Sequence, residues 1–187
     1  MTFRGIRAAH ASSEAGLDAV ALLRQQIRQS HSHLDACAAT WLHPPPSSSA
    51  WSRPVGLYLH AVCVEDITIQ SVLRNHAPLF TSFSPNLGVA ADPAALREYA
   101  RAVYAATEAY VAELTPAGVC QAVDLYRLGL GRQTVGWVIK RFVIAELAHI
   151  CSQISRATAH RQRLPQASRG SRRNGARCVR LGKAERQ

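Results

Sequence analysis

The chain has 187 residues, enough for one domain with a sizeable core; 48% of them are hydrophobic and 6% aromatic. Its formal net charge of +10 is uneven, because residues 1–155 hold 12 Lys and Arg against 11 Asp and Glu, whereas residues 156–187 hold 10 against one. No apolar run approaches the ~20 residues of a membrane span, and the start of the chain lacks a signal-peptide core. We therefore expect a cytoplasmic protein without membrane association.

The hydrophobic pattern predicts two long helices in the first half of the chain. The first covers about residues 15–42 and ends at the proline run of residues 43–49, which cannot continue a helix. The second covers about residues 53–75, with Ser52 as its N-cap and Pro54 in its first turn.

Two further long helices are predicted in the second half. One starts at Pro93, directly after Asp92, and runs to Leu114. Thr115-Pro116 then suggests a short helical turn, residues 123–126 are a weak candidate for an extended segment, and Thr134 is a plausible cap of the last helix. That helix continues at least to Ser155.

Four long amphipathic helices joined by loops of about ten to twenty residues predict an all-α fold, namely a four-helix bundle covering residues 15–155. Residues 1–14 are expected to form a flexible N-terminus. Residues 156–187 are Arg-rich and have no apolar periodicity, so we expect a basic tail that is disordered beyond about Arg163.

The last helix raises the main functional question, because its apolar stripe passes through Glu146. A carboxylate on a buried face is costly unless it is paired or bound to a metal. The predicted inner stripe of the second helix includes His60, and bundles form metal sites from such inward His and carboxylate side chains. His149 is a possible third ligand, with His31 as a further candidate.

Ordinary structural roles compete with each of these assignments. A histidine on an apolar face is often a hydrogen-bonded core residue, and Glu146 could instead pair with Arg141. His149 could face solvent. The cysteines of the predicted helical region are interpreted as reduced core residues, with Cys63 also a ligand candidate. They are Cys37, Cys63, Cys120 and Cys151.

Several segments, taken in order, resemble the DinB-like (DinB/YfiT-like) family, many members of which bind a divalent metal. LYLHAVCVEDITIQSVLRNHAPLF (residues 57–80) is similar to the family's second helix, with a histidine, an acidic pair and a Pro-Leu-aromatic loop. LREYARAVYAATEAYVAELTPAGV (residues 96–119) is similar to the third helix, and LGLGRQTVGWVIKRFVIAELAHICSQIS (residues 128–155) to the fourth. The resemblance covers about residues 17–155.

This resemblance implies a four-helix bundle with a divalent metal, often zinc or nickel, held by one histidine of helix two and two ligands of helix four. His60 matches the first position, and Glu146 matches the first helix-four position. Ile150 stands at the second, where histidine is expected, and His149 is one residue out of register. The resemblance also implies thiol-dependent transferase or isomerase chemistry with a low-molecular-weight thiol, and homodimers.

Three interpretations remain open. The chain is a metal-dependent enzyme using His60, Glu146 and His149 or water, or it is a metal-free bundle that serves as a binding or dimerisation module. A less favoured interpretation is nucleic-acid association through the basic tail, which would act by charge alone. The tail itself is either such a polybasic arm or an out-of-frame extension.

Overall fold

The computed structural model describes residues 4–42, 53–83 and 93–163, and this part of the chain is mainly helical with little strand. The elements in chain order are α1 (Arg4–Leu42), α2 (residues 53–73), α3 (Phe80–Phe83), α4 (Pro93–Glu113), α5 (Pro116–Cys120), β1 (Ala122–Asp124), β2 (Arg132–Thr134) and α6 (residues 135–163). The predicted all-α class agrees with this content. Within the described residues, no helix combines the length and apolar character that a membrane crossing requires.

Helices α2 and α6 each contain a wide π-helical segment. In α2 it is Ile67–Leu73, and in α6 it is Ile139–Ile144, where the N–H of Ala145 donates to the carbonyl of Lys140. The two segments contact each other. Such i→i+5 turns rotate the residues beyond them relative to a regular α-helix, and they are frequent near functional sites.

One hydrophobic core joins the four long helices, and α1 and α2 each contact both α4 and α6. The predicted stripes of the first and third helices are largely confirmed in this core, although their members Trp41, Tyr110 and Leu114 are only half-buried. Their buried members are Val20, Leu23, Ile27, His31, Leu34 and Ala38 in α1, and Leu96, Ala100, Val103 and Thr107 in α4. In α6 the buried face includes Val135, Val138, Ile139, Ile150 and Ile154.

The predicted stripe of the second helix is only partly correct. Of its predicted members, Ala61 is buried, but His60 and Ile67 are exposed. Tyr58, Glu65 and Asp66 are instead almost fully buried. Apolar periodicity favours a solvent-facing position for the acidic pair Glu65 and Asp66. The predicted inner face of α2 is therefore rotated away from the observed one. Hydrogen bonds from residues outside α2 offset the free-energy cost of burying these carboxylates. Spacing within α2 does not reveal those partners.

Both ends of the helical region extend beyond the predicted limits. Helix α1 begins at Arg4, within the segment predicted to be flexible, and α6 continues to Arg163, within the segment assigned to the tail. The indole N–H of Trp41 donates to Thr158 Oγ1 at 2.9 Å, which ties this extension of α6 to the end of α1. The rest of the predicted basic tail, the proline run at 43–49 and the Ser52 cap lie outside the described residues.

The connection between α5 and α6 is a short β-hairpin. Strand β1, which includes the predicted extended residue Val123, pairs antiparallel with β2, and Val123 lies opposite Gln133. Gly129 has a φ of 71°, a left-handed conformation that glycine adopts without strain, and this conformation allows the chain to turn back. The predicted Thr134 cap is confirmed, because its hydroxyl accepts the N–H of Trp137 at 3.1 Å.

We expect Gly136→Ala to destabilise the protein by about 1–3 kcal/mol, as overpacking does. A Cβ on Gly136 would lie 2.6 Å from Val119 Cγ1, whereas a Cβ on Gly56 of α2 would meet nothing within 4 Å. Gly56→Ala should therefore stabilise by about 0.5–1 kcal/mol through helix propensity. Thermal unfolding of both variants tests the contrast. Recovery in Gly136→Ala/Val119→Ala would support the packing explanation, and equal shifts at both glycines would contradict it.

Candidate metal centre

The structure brings His60 of α2 and Glu146 of α6 together. His60 Nε2 lies 3.6 Å from Glu146 Oε1, and the two side chains are 59% and 27% exposed. The pair therefore lies at the solvent edge of the α2–α6 interface: His60 is exposed rather than on the predicted inner face, and Glu146 is half-buried. The predicted alternative partner, Arg141, is exposed, and the side chain that lies near the Glu146 carboxylate is His60.

The donor chemistry of this pair suits a divalent metal. An imidazole nitrogen and a carboxylate oxygen bind zinc at about 2.0–2.2 Å, so two such donors on one metal lie roughly 3.0–3.5 Å apart. The observed 3.6 Å needs only a small side-chain adjustment. Because both side chains reach solvent, water or a substrate atom could complete the coordination.

Neither Ile150, which stands at the expected third-ligand position, nor the candidate ligand His149 joins this pair. Ile150 is 2% exposed and belongs to the hydrophobic core. His149 is exposed on α6, and its Nε2 lies 2.7 Å from Gln153 Nε2, so the two side chains form a hydrogen bond one turn apart on the same helix. Helices α2 and α6 therefore provide two protein donors and an apolar residue at the third position.

A basic cleft lies along the same two helices. It has a volume of about 580 Å³ and is lined by Arg53, His149, Gln153, Arg156, Ala157 and His160. Arg53 precedes His60 by seven residues and Gln153 follows Glu146 by seven. Arg53 and Gln153 thus lie about two helical turns, or about 10 Å, from the His60–Glu146 pair, since α2 and α6 run antiparallel here. His149, at the near end of the cleft, is only three residues from Glu146. The cleft suits a small anion.

Glu65 is a fully buried carboxylate that the apolar pattern of the sequence did not indicate. Its Oε1 accepts a hydrogen bond from Thr107 Oγ1 at 2.5 Å and lies 2.8 Å from Nε2 of His31. The His31 ring stacks on Tyr104 with 3.9 Å between ring centroids. His31, a ligand candidate in the sequence, is therefore part of an interior network that joins α1, α2 and α4.

The second buried carboxylate, Asp66, has a structural role. It accepts the backbone N–H groups of Leu79 and Phe80, at 3.0 and 2.8 Å, and the hydroxyl of Tyr99 at 2.9 Å. Burial, with contributions from Cys63 and Asp66, raises the pKa of Tyr99 well above its ordinary value, so the phenol remains a hydrogen-bond donor. Asp66 thereby orders the Pro-Leu-Phe turn that follows α2.

The interpretation of all four cysteines as core residues is only partly correct. Cys151 is buried, Cys37 and Cys63 are half-buried, and Cys120 is exposed. Together with His33, Cys37 and Cys151 form a group whose three ligand atoms lie within 4.8 Å of one another, so it could hold a metal ion. The four-residue spacing of His33 and Cys37 on α1 could have been recognised in the sequence. No spacing indicates that Cys151 on α6 joins them.

Helix α2 thus supplies a histidine and helix α6 a carboxylate to one accessible pair, while α1 and α6 supply a separate thiol-containing group. The buried carboxylates belong to interior networks. Comparison of the chain with protein-family models, with curated proteins and with solved structures gives no match.

Proposed function

We propose that the four long helices form a four-helix bundle of the DinB-like type. The support is the packing of α1 and α2 against both α4 and α6 around one core. A second support is local: the histidine and the carboxylate that the resemblance places at ligand positions lie on different helices and are 3.6 Å apart.

Within that fold, we propose a divalent-metal-dependent enzyme of the thiol-transferase or isomerase type, with zinc or nickel held by His60 and Glu146. The observation that carries the proposal is the accessible His60–Glu146 pair. A bound metal would lower the pKa of a coordinated thiol or water. His60 and Glu146 would anchor and orient the reacting group at the solvent edge of α2 and α6.

The basic cleft suggests the chemical class of the substrate. Arg53 and Arg156 carry permanent positive charge, and both line the cleft. A low-molecular-weight thiol with a carboxylate or phosphate could place its anion there and extend its sulfur toward His60 and Glu146. Arg53 lies about two helical turns from His60, a distance that fits a small extended molecule.

Metal titration of the full chain tests the proposal. We expect the wild type to bind Ni²⁺, a metal with less preference for thiolates than zinc has, and His60→Ala to weaken binding by at least about 100-fold. Glu146→Gln should also weaken it. Glu98→Gln, at an exposed carboxylate of α4, is the matched control and should bind as the wild type does. Equal binding by all four proteins would contradict the proposal.

Burial of Ile150 favours a second candidate function, a metal-free bundle acting as a binding or dimerisation module. An apolar residue at the third ligand position leaves the site with two protein donors, fewer than the three of typical catalytic zinc sites. Absence of metal binding in the titration, with a dimer in analytical ultracentrifugation, would favour this candidate. Nucleic-acid association through the tail would instead appear as salt-sensitive DNA binding that is lost on removal of residues 164–187.

A further inference from the structure

We propose that His33, Cys37 and Cys151 form a second metal site, selective for thiophilic ions such as Zn²⁺, Cd²⁺ or Cu⁺. The three ligand atoms lie within 4.8 Å of one another. This site is distinct from the His60–Glu146 pair, because it lies between α1 and α6 rather than between α2 and α6. The inference goes beyond the proposed function and does not depend on it.

The two helices bring the donors together by simple geometry. His33 and Cys37 are four residues apart, so their side chains lie on one face of α1. Cys151 projects from the buried side of α6 toward that face and is 2% exposed. The hydrogen bond between Trp41 and Thr158 fixes the same two helices about one turn farther along α1.

The donor set determines the class of ion. Two thiolates and one imidazole match the soft and borderline metals, whereas magnesium and calcium prefer oxygen donors. From bond lengths of about 2.3 Å to sulfur and 2.0 Å to nitrogen, tetrahedral zinc places such donors roughly 3.5–3.8 Å apart. Rotamer adjustments of the three side chains suffice to reach this spacing.

One side of the site is buried and the other is exposed to solvent. Cys151 is buried and Cys37 is half-buried, whereas His33 is exposed, so an ion enters from the His33 side. The Ser155 hydroxyl lies 3.6 Å from Cys37 Sγ, close enough to supply a fourth donor to a bound ion. Water or this hydroxyl would complete a four-coordinate ion.

Protons compete with the metal at this site. Burial, reinforced by the neighbouring Cys37 thiol, raises the pKa of Cys151 to about 12. A metal binds the thiolate form, so its binding must displace the thiol proton.

Cadmium titration of the full reduced chain tests the proposal through thiolate-to-metal charge-transfer absorption in the ultraviolet. We expect one saturable band in the wild type and its loss in Cys37→Ser and in Cys151→Ala, with affinity falling at least about 100-fold. His33→Ala should weaken binding and shift the band. Zinc should displace cadmium.

Controls at the other cysteines identify the site. The cadmium absorption band should remain in the variants Cys63→Ser, Cys120→Ser and Cys178→Ser. It should also remain in His60→Ala, so that failure of this proposal can be distinguished from failure of the proposed function. A band that survives Cys37→Ser, or one lost with Cys63, Cys120 or Cys178, would overturn the proposal. Because Cys151→Ala keeps a small apolar side chain, it should fold, and circular dichroism of each variant verifies this.

Discussion

Replacing Glu65 by alanine is expected to destabilise the protein by about 3–5 kcal/mol, the largest loss among the variants considered. Glu65 is completely buried, and its Oε1 serves both His31 and Thr107. The substitution would leave two buried polar groups unpaired in addition to a cavity. Chemical denaturation of the wild type and of Glu65→Ala at pH 7 measures the difference.

Two matched variants separate the causes of that loss. Glu65→Gln retains most of the volume and one acceptor oxygen, so it should cost less than Glu65→Ala. Glu98→Ala removes an exposed carboxylate of α4 and should change stability by less than about 0.5 kcal/mol. A Glu65→Ala variant as stable as Glu98→Ala would mean that the interior network contributes nothing.

Ile150→His is expected to strengthen nickel or zinc binding by at least about tenfold while weakening the metal-free protein. Position 150 is one turn beyond Glu146, so an imidazole there can approach the ion as a third ligand. The same side chain is 2% exposed, and a polar ring in place of isoleucine should cost about 2–4 kcal/mol. Titration calorimetry and thermal unfolding with and without metal measure the two effects.

The expected behaviour of Ile150→His is a metal-dependent recovery of stability. At a free metal concentration of 100 times the dissociation constant, binding restores about 2.7 kcal/mol. Ile150→Gln is the matched control, because it buries a similar polar side chain without an imidazole donor. Metal should stabilise this variant no more than it stabilises the wild type. A histidine variant that loses stability without any gain in affinity would place the metal elsewhere.

The helical architecture could be predicted from the sequence because helix signals are local. Pro93, Thr115-Pro116 and Thr134 mark starts that the structure retains, and the stripe of α1 from Val20 to Ala38 is buried. The inner face of α2 could not be predicted in this way. Its buried surface includes Glu65 and Asp66, whose partners belong to other elements.

The same reason explains what the sequence revealed of the candidate sites. His60 and Glu146 lie 3.6 Å apart, but their exposure does not follow from an apolar stripe, because the stripe predicted for α2 includes positions that face solvent. The thiol group was missed because Cys151 is far from Cys37 in the chain and resembles an ordinary buried cysteine. Only the packing of α1 against α6 brings them together.

Anomalous diffraction from crystals of the full chain grown with zinc tests the central claim most directly. The account predicts a zinc peak within about 2.0–2.2 Å of both His60 Nε2 and Glu146 Oε1, with water or a small molecule at the remaining positions. A map with no peak beside this pair, including one with zinc only between His33, Cys37 and Cys151, would contradict it.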